Sequence, residues 1–173
     1  MNVNPVVINK DTISRVRRNH ALEHATLNVL SSRRRGGPAL AGYSDPFGFW
    51  IVGSVSTEEL RVAADQALNR LRAGEYNLAI HPNCGTNFVV TGILAGTAAW
   101  LGMLGMNKTW RDRLDKLPNV ILLTTAALVL GQPLGLKVQE KVTTEGDPGA
   151  MEIVRIDANQ RAGVITHRVI TRG

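Results

Sequence analysis

Two stretches of this chain, residues 76–107 and 117–136, contain no Asp, Glu, Lys or Arg. Within them lie Phe88–Met106 (FVVTGILAGTAAWLGMLGM) and Leu117–Leu136 (LPNVILLTTAALVLGQPLGL). Each reaches the about 20 mainly apolar residues that a helix needs to cross a hydrocarbon core. Both are rich in Gly, Ala and Thr, and Gly92 and Gly96 have the spacing that lets two helices approach closely in lipid. Trp110 lies just past the first stretch, where an aromatic ring can sit at headgroup level. The expectation is a transmembrane helical hairpin packed through Gly92 and Gly96. A buried helical pair in a soluble protein is the competing reading, and Pro133, which shortens or kinks the second helix, leans towards it.

The first 20 residues hold no apolar run of the length a secretory signal needs, so both termini are expected on the cytoplasmic side. Lys108, Arg111, Arg113 and Lys116 in the hairpin loop would prefer the cytoplasm, but the 86 residues before the hairpin carry ten Lys and Arg. The single Cys forbids an intrachain disulfide. A formal charge of +6 suits an anionic partner, and without interleaved aromatic and basic residues that partner is a membrane surface rather than nucleic acid.

The rest reads as α+β. Asp11-Thr12 can cap a helix running to about Ser32, with Arg33-Arg34-Arg35 complementing its dipole or meeting lipid headgroups. Gly36-Gly37-Pro38 ends it and lacks the Lys-Ser/Thr of a phosphate loop. Phe47–Val55 is strand-like. Ser56 and Glu59 form a capping box opening a helix whose apolar face is Leu60, Ala63, Ala64, Ala67, Leu68 and Leu71, ended by Gly74. Tyr76–His81 reads as a short strand. Met151–Ile156 and Ala162–Thr171 flank Asp157–Gln160 as a β-hairpin. The expected organisation is a small α/β unit over residues 1–86, a membrane hairpin over 87–136 and a C-terminal β-hairpin over 137–173.

Chemistry concentrates on the first helix. Its apolar stripe, Ile13, Val16, Leu27 and Leu30, is interrupted in the middle by His20, Glu23 and His24. Burying these groups without partners costs several kcal/mol, about the range for unpaired polar and charged groups, so something must compensate. His20 and His24 are one turn apart and can converge on one ion, with Glu23 beside it. A second source of ligands is His81-Pro82-Asn83-Cys84-Gly85-Thr86, where His81 and Cys84 have the spacing of zinc-knuckle pairs.

The sequence His20-Ala21-Leu22-Glu23-His24 resembles the H-x-x-E-H motif of inverzincin metallopeptidases over these five residues. The resemblance implies zinc ligands at His20 and His24, with Glu23 as the catalytic general base that activates water. Such enzymes take a further ligand from a downstream Glu; Glu58 and Glu59 lie in the first turn of a helix whose cap and dipole already account for them. If His81 and Cys84 both join His20 and His24, the site is closed and structural; if one joins, a position stays open for water. His81 before Pro has a plain role as a turn residue. Cys84 has one as a small buried hydrophobe, or a nucleophile beside His81. His167 reads as a packed core histidine and a reserve ligand. HALEH, HPNCGT and two hydrophobic segments also look like an uncharacterised bacterial family of small two-helix membrane proteins, a resemblance over residues 11–136 that implies a membrane location but no activity; the expected location is the bacterial inner membrane.

The expected function is a membrane-anchored zinc protein, a metallopeptidase-like hydrolase acting on a peptide in contact with the lipid bilayer. The alternative is a non-enzymatic subunit or assembly factor of a bacterial membrane complex, with other membrane subunits as partners.

Overall fold

Half of one long helix has no exposed side. In a computed structural model describing residues 9–34, 37–105, 109–161 and 163–173, α1 (Lys10–Arg33) buries every residue from Ala21 to Leu27. It packs on β1 (Ala41–Asp45), β2 (Gly48–Val52), α2 (Thr57–Arg72) and a 3₁₀ turn (Tyr76–Ala79). Its N-cap is Asn9, whose side chain accepts from the Thr12 amide at 2.8 Å, rather than Asp11-Thr12. Ile13 of the expected stripe is half exposed. Arg33 bonds Gln66 and Arg34 pairs with Glu59 of α2, so two of the three arginines are engaged within the protein. Arg35 and Gly36 lie outside the described residues.

The chain divides into two compact units, one formed by the N-terminal part through His81 together with the part from Glu140 onward, the other by Pro82–Gln139. In the first, β3 (Glu152–Arg161) and β4 (Val164–Arg172) complete one antiparallel sheet in the order β1-β2-β4-β3 among the described residues. Strand periodicity sends Phe49, Ile51, His167 and Val169 inward, while Tyr43, Trp50 and Arg168 form a row on the opposite face. There Tyr43 stacks on Trp50 and the Arg168 guanidinium lies 5.1 Å from the Trp50 ring centre. Ala21, Leu22, Ala25 and Leu30 of α1 meet Leu60, Ala63, Ala67 and Leu71 of α2 and the inward strand residues in one core. The α2 face and its Ser56 cap are as the sequence indicates.

Two local expectations are corrected. Residues 76–81 do not form a strand; their carbonyls are taken by α1 side chains rather than by a neighbouring strand. Asn28 Nδ2 donates to the Leu78 and Ile80 carbonyls, at 2.9 and 3.1 Å. The turn between β3 and β4 is not Asp157–Gln160, which continues β3 with Asp157 and Asn159 opposite Arg168 and Thr166. These polar residues belong to the outward face of a strand. The chain reverses beside Gly163, whose φ of +79° favours glycine; Ala162 lies outside the described residues.

The second unit is a helical pair, α3 (Gly85–Gly102) and α4 (Trp110–Val138). α4 continues into a π-helical turn, Gln139–Thr143, and runs uninterrupted through Pro118 and Pro133. Arg111, Arg113 and Lys116, expected in a loop, lie in its first two turns; Met106 and Lys108 are outside the described residues. Among the described residues one helix, Trp110–Thr143, is long and apolar enough to cross a membrane. α3 is not a second, having ended at Gly102 rather than Met106. Nor does the pair meet through Gly92 and Gly96, which face open space. The close approaches are on α4. A Cβ at Gly131 would stand 2.8 Å from Thr91 Cγ2, and one at Gly135 would stand 2.6 Å from Asn87 Oδ1. Small residues are needed where another helix arrives, and here the arriving residues are Asn87 and Thr91.

Candidate metal centre

The middle of α1 supplies the first two side chains. His20 and His24 stand one turn apart with ring centres 4.2 Å apart, and His81, just past the 3₁₀ turn, brings its ring centre within 5.7 Å of His24. Three imidazoles therefore form a row in the first unit. His24, in the middle of the row, is 2% exposed, while His20 and His81 on either side of it are partly exposed.

The tautomers follow from the hydrogen bonds. His20 Nδ1 is 2.9 Å from the Thr143 carbonyl oxygen, and His24 Nδ1 is 2.7 Å from that of Ala79. A carbonyl oxygen only accepts, so each Nδ1 carries a proton and donates it. The lone pair of each neutral ring then sits on Nε2, the arrangement that backbone carbonyls impose on metal-ligating histidines. Ligand-capable nitrogens of His20 and His24 lie within 4.8 Å of one another. On a tetrahedral ion with Zn–N of about 2.0–2.1 Å they would stand about 3.4 Å apart, a difference that small side-chain rotations remove.

Glu23, only 3% exposed, is carried on the same turn but is held by the sheet: Ser44 Oγ donates to Glu23 Oε2 at 2.6 Å. β1 is shaped to admit the carboxylate, since a Cβ at Gly42 would lie 2.6 Å from Glu23 Oε1 and 2.9 Å from the Trp50 carbonyl oxygen. The hydroxyl fixes where the carboxylate points. Neither Ser44 nor Gly42 is recognisable from the sequence, where the alternation Gly-Tyr-Ser of a five-residue strand is too short to stand out. The carbonyls of Ala79 and Thr143 leave no sequence signal at all.

Of the other expected ligands, Cys84, Glu59 and His167 each have local partners of their own. Cys84 belongs to the helical unit, where it is buried as the N-cap of α3 with its sulfur 3.4 Å from the Thr86 amide. Glu59 pairs with Arg34 at 3.2 Å, and Glu58 is exposed in the first turn of α2. His167 is a core residue, 1% exposed, with Nε2 3.1 Å from Thr57 Oγ1 and no partner for Nδ1 among the described residues. Burial lowers its pKa below the usual histidine value of 6.5.

A family profile described as "Domain of unknown function (DUF6391)" matches residues 15–156, which take in the helix of His20, Glu23 and His24, the His81–Cys84 segment and both helices of the pair. An uncharacterized protein of Picosynechococcus sp. (strain ATCC 27264 / PCC 7002 / PR-6) is 38% identical over 141 residues, covering 75% of this chain. The chain spans 65% of that relative's length. No solved structure matches.

Proposed function

The chain belongs to the family of that domain of unknown function, and on that premise we propose a membrane-anchored zinc-binding protein whose ion is held by His20, His24 and His81, with water completing an open site. The observation that carries this reading is the pair of Nδ1–H donations to backbone carbonyls. Two adjacent imidazoles held in the same tautomer, one of them almost wholly buried, are costly to maintain as core filler. Each becomes useful when its Nε2 lone pair has a cation to meet. Nitrogen donors in that number suit zinc.

The reaction this arrangement supports is hydrolysis of a peptide at the membrane surface. Zinc when bound would acidify water and polarise a carbonyl. Glu23 would take the proton of the attacking water and return it to the leaving amine, steadied by the Ser44 hydroxyl. That same hydrogen bond favours a second reading, in which Glu23 ties α1 to β1 and the protein is a non-enzymatic subunit of a membrane complex. Anchoring by α4 is supported by its outer surface: only 11% of its most apolar window is buried, which a core helix of a soluble protein would not show. Bacterial inner membrane and cytoplasmic termini complete the proposal.

Metal analysis after gentle purification in detergent tests the centre, with about one zinc per chain expected and less than half a zinc counting against it. Glu23→Gln should keep the ion and lose hydrolysis of a peptide library. Retained hydrolysis removes Glu23 from the chemistry, and loss of the ion together with the fold favours the structural reading.

A further inference from the structure

Asn87 and Gln139 are amides in a helical pair whose other contacts are mostly apolar, and they are 3% and 0% exposed. Gln139 Nε2 donates to Asn87 Oδ1 at 2.6 Å, and Asn87 Nδ2 donates to the Pro82 carbonyl at 2.6 Å. α4 gives up a side chain at Gly135 to admit Asn87. A clasp meant only to hold two helices together has no need of the Pro82 carbonyl, which lies outside both. What the relay does join is the two points where the chain enters and leaves the helical unit, Pro82 and Gln139.

Each of those points is one short step along the backbone from an imidazole of the cluster. His81 is bonded to Pro82. Gln139 opens the π-helical turn that ends at Thr143, whose carbonyl fixes the His20 tautomer. Isolated π turns are uncommon and often mark functional positions. On the far side of the turn, Arg17 donates to the Thr144 carbonyl at 2.9 Å and accepts the Glu145 amide on its own carbonyl at 3.1 Å. The segment presenting the Thr143 carbonyl is thus secured at both ends, by α1 and by the relay.

We infer that Asn87 and Gln139 are positioning residues for the metal centre, fixing His81 through Pro82 and His20 through the Thr143 carbonyl. This rests on the zinc reading above for its consequence, but the orientation of the rings can be measured without metal.

The test uses the full chain in detergent micelles, as wild type, Asn87→Leu and Gln139→Leu, with Co2+ titrated as a visible probe. Both variants should bind Co2+ at least about tenfold more weakly with a shifted absorption band, the size usual for losing an orienting partner, while helix content by circular dichroism is unchanged. In parallel, 15N spectra of labelled histidines without metal should show the Nδ1–H form of His20 giving way to a mixture in Gln139→Leu, and the His81 signals moving in Asn87→Leu. Unchanged affinity and unchanged ring signals overturn the inference. Should wild type bind no Co2+, the zinc reading falls and the nitrogen spectra alone decide the positioning claim. Should a Leu variant not fold, Asn87→Asp and Gln139→Glu, which keep the shape and remove the donor, are measured in the same way.

Discussion

The two units of the chain use apolar residues in opposite senses. In the first, the large side chains Leu22, Leu30, Phe49, Ile51 and Val169 are at or near zero exposure, and polar residues line the outward face of the sheet. In the second, Leu122, Val129 and Leu130 are 65–69% exposed, and the residues buried between the helices are Asn87, Thr91, Gly131 and Gly135. A unit folded by water hides its large hydrophobes and shows its polar groups. The helical pair hides its polar and small groups and shows its hydrophobes, the inverse of that pattern and the one that the proposed membrane anchoring calls for.

Truncation of one large residue in each unit gives the largest expected contrast. Phe49→Ala should cost about 3–5 kcal/mol, since a fully buried ring leaves a cavity that the strands and α1 cannot close. Leu130→Ala, at 69% exposure, should stay within about 0.5 kcal/mol. Denaturant titration of the full chain in micelles measures both. Equal costs would mean that the outer face of α4 is packed against something, and the contrast between the units would fail.

A smaller effect separates the glycines. Gly135→Leu should cost about 1–3 kcal/mol, because its side chain must displace Asn87, whose Cα is only 3.0 Å from where the Cβ would stand. Gly92→Leu should be close to neutral, since it meets nothing within 4 Å. The order of the two penalties, read from helix-pair stability in the same micelles, tests which face joins the helices. A costly Gly92→Leu would restore the packing that the sequence spacing suggests.

That reversal shows where sequence reading stops. The GxxxG at Gly92 and Gly96 is conspicuous, but an identical spacing at Gly131 and Gly135 is masked by Gln132 and Pro133 between them. Spacing says which residues share a helix face and is silent on which face finds a partner. The same limit applies to Tyr76–His81, where alternating apolar residues look like a strand but Asn28 and His24 of α1 claim the carbonyls that a strand would have paired. What was legible is local: the Ser56 cap, the apolar face of α2, the C-terminal hairpin and the anomaly of His20, Glu23 and His24 on a helix stripe. Partners contributed by backbone carbonyls, Thr143 above all, carry no residue identity and leave no trace in a sequence.

Acid should act on the two units unequally. The polar residues buried in the helical pair, Asn87, Thr91 and Gln139, do not titrate, whereas His167 lies in the first unit with its pKa lowered by burial. Its Nε2 already faces Thr57, the first residue of α2, and Nδ1 has no partner among the described residues, so a second ring proton has nowhere to go. Above pH 6.5 the ring is neutral folded or unfolded, and its contribution to stability is complete. As pH falls below that value the unfolded chain takes up a proton that the folded chain refuses. Stability is then lost at up to about 1.4 kcal/mol per pH unit until the folded pKa is reached. His167→Phe should remove that slope while keeping the site apolar and filled. Trp50 fluorescence reports on the first unit and Trp100 and Trp110 on the second, so single-tryptophan versions measured from pH 7.5 to 5 can follow each separately. The expected outcome is a midpoint for Trp50 that falls with pH in the wild type and flattens in His167→Phe. An equal slope in both proteins would remove His167 as the source of the acid sensitivity.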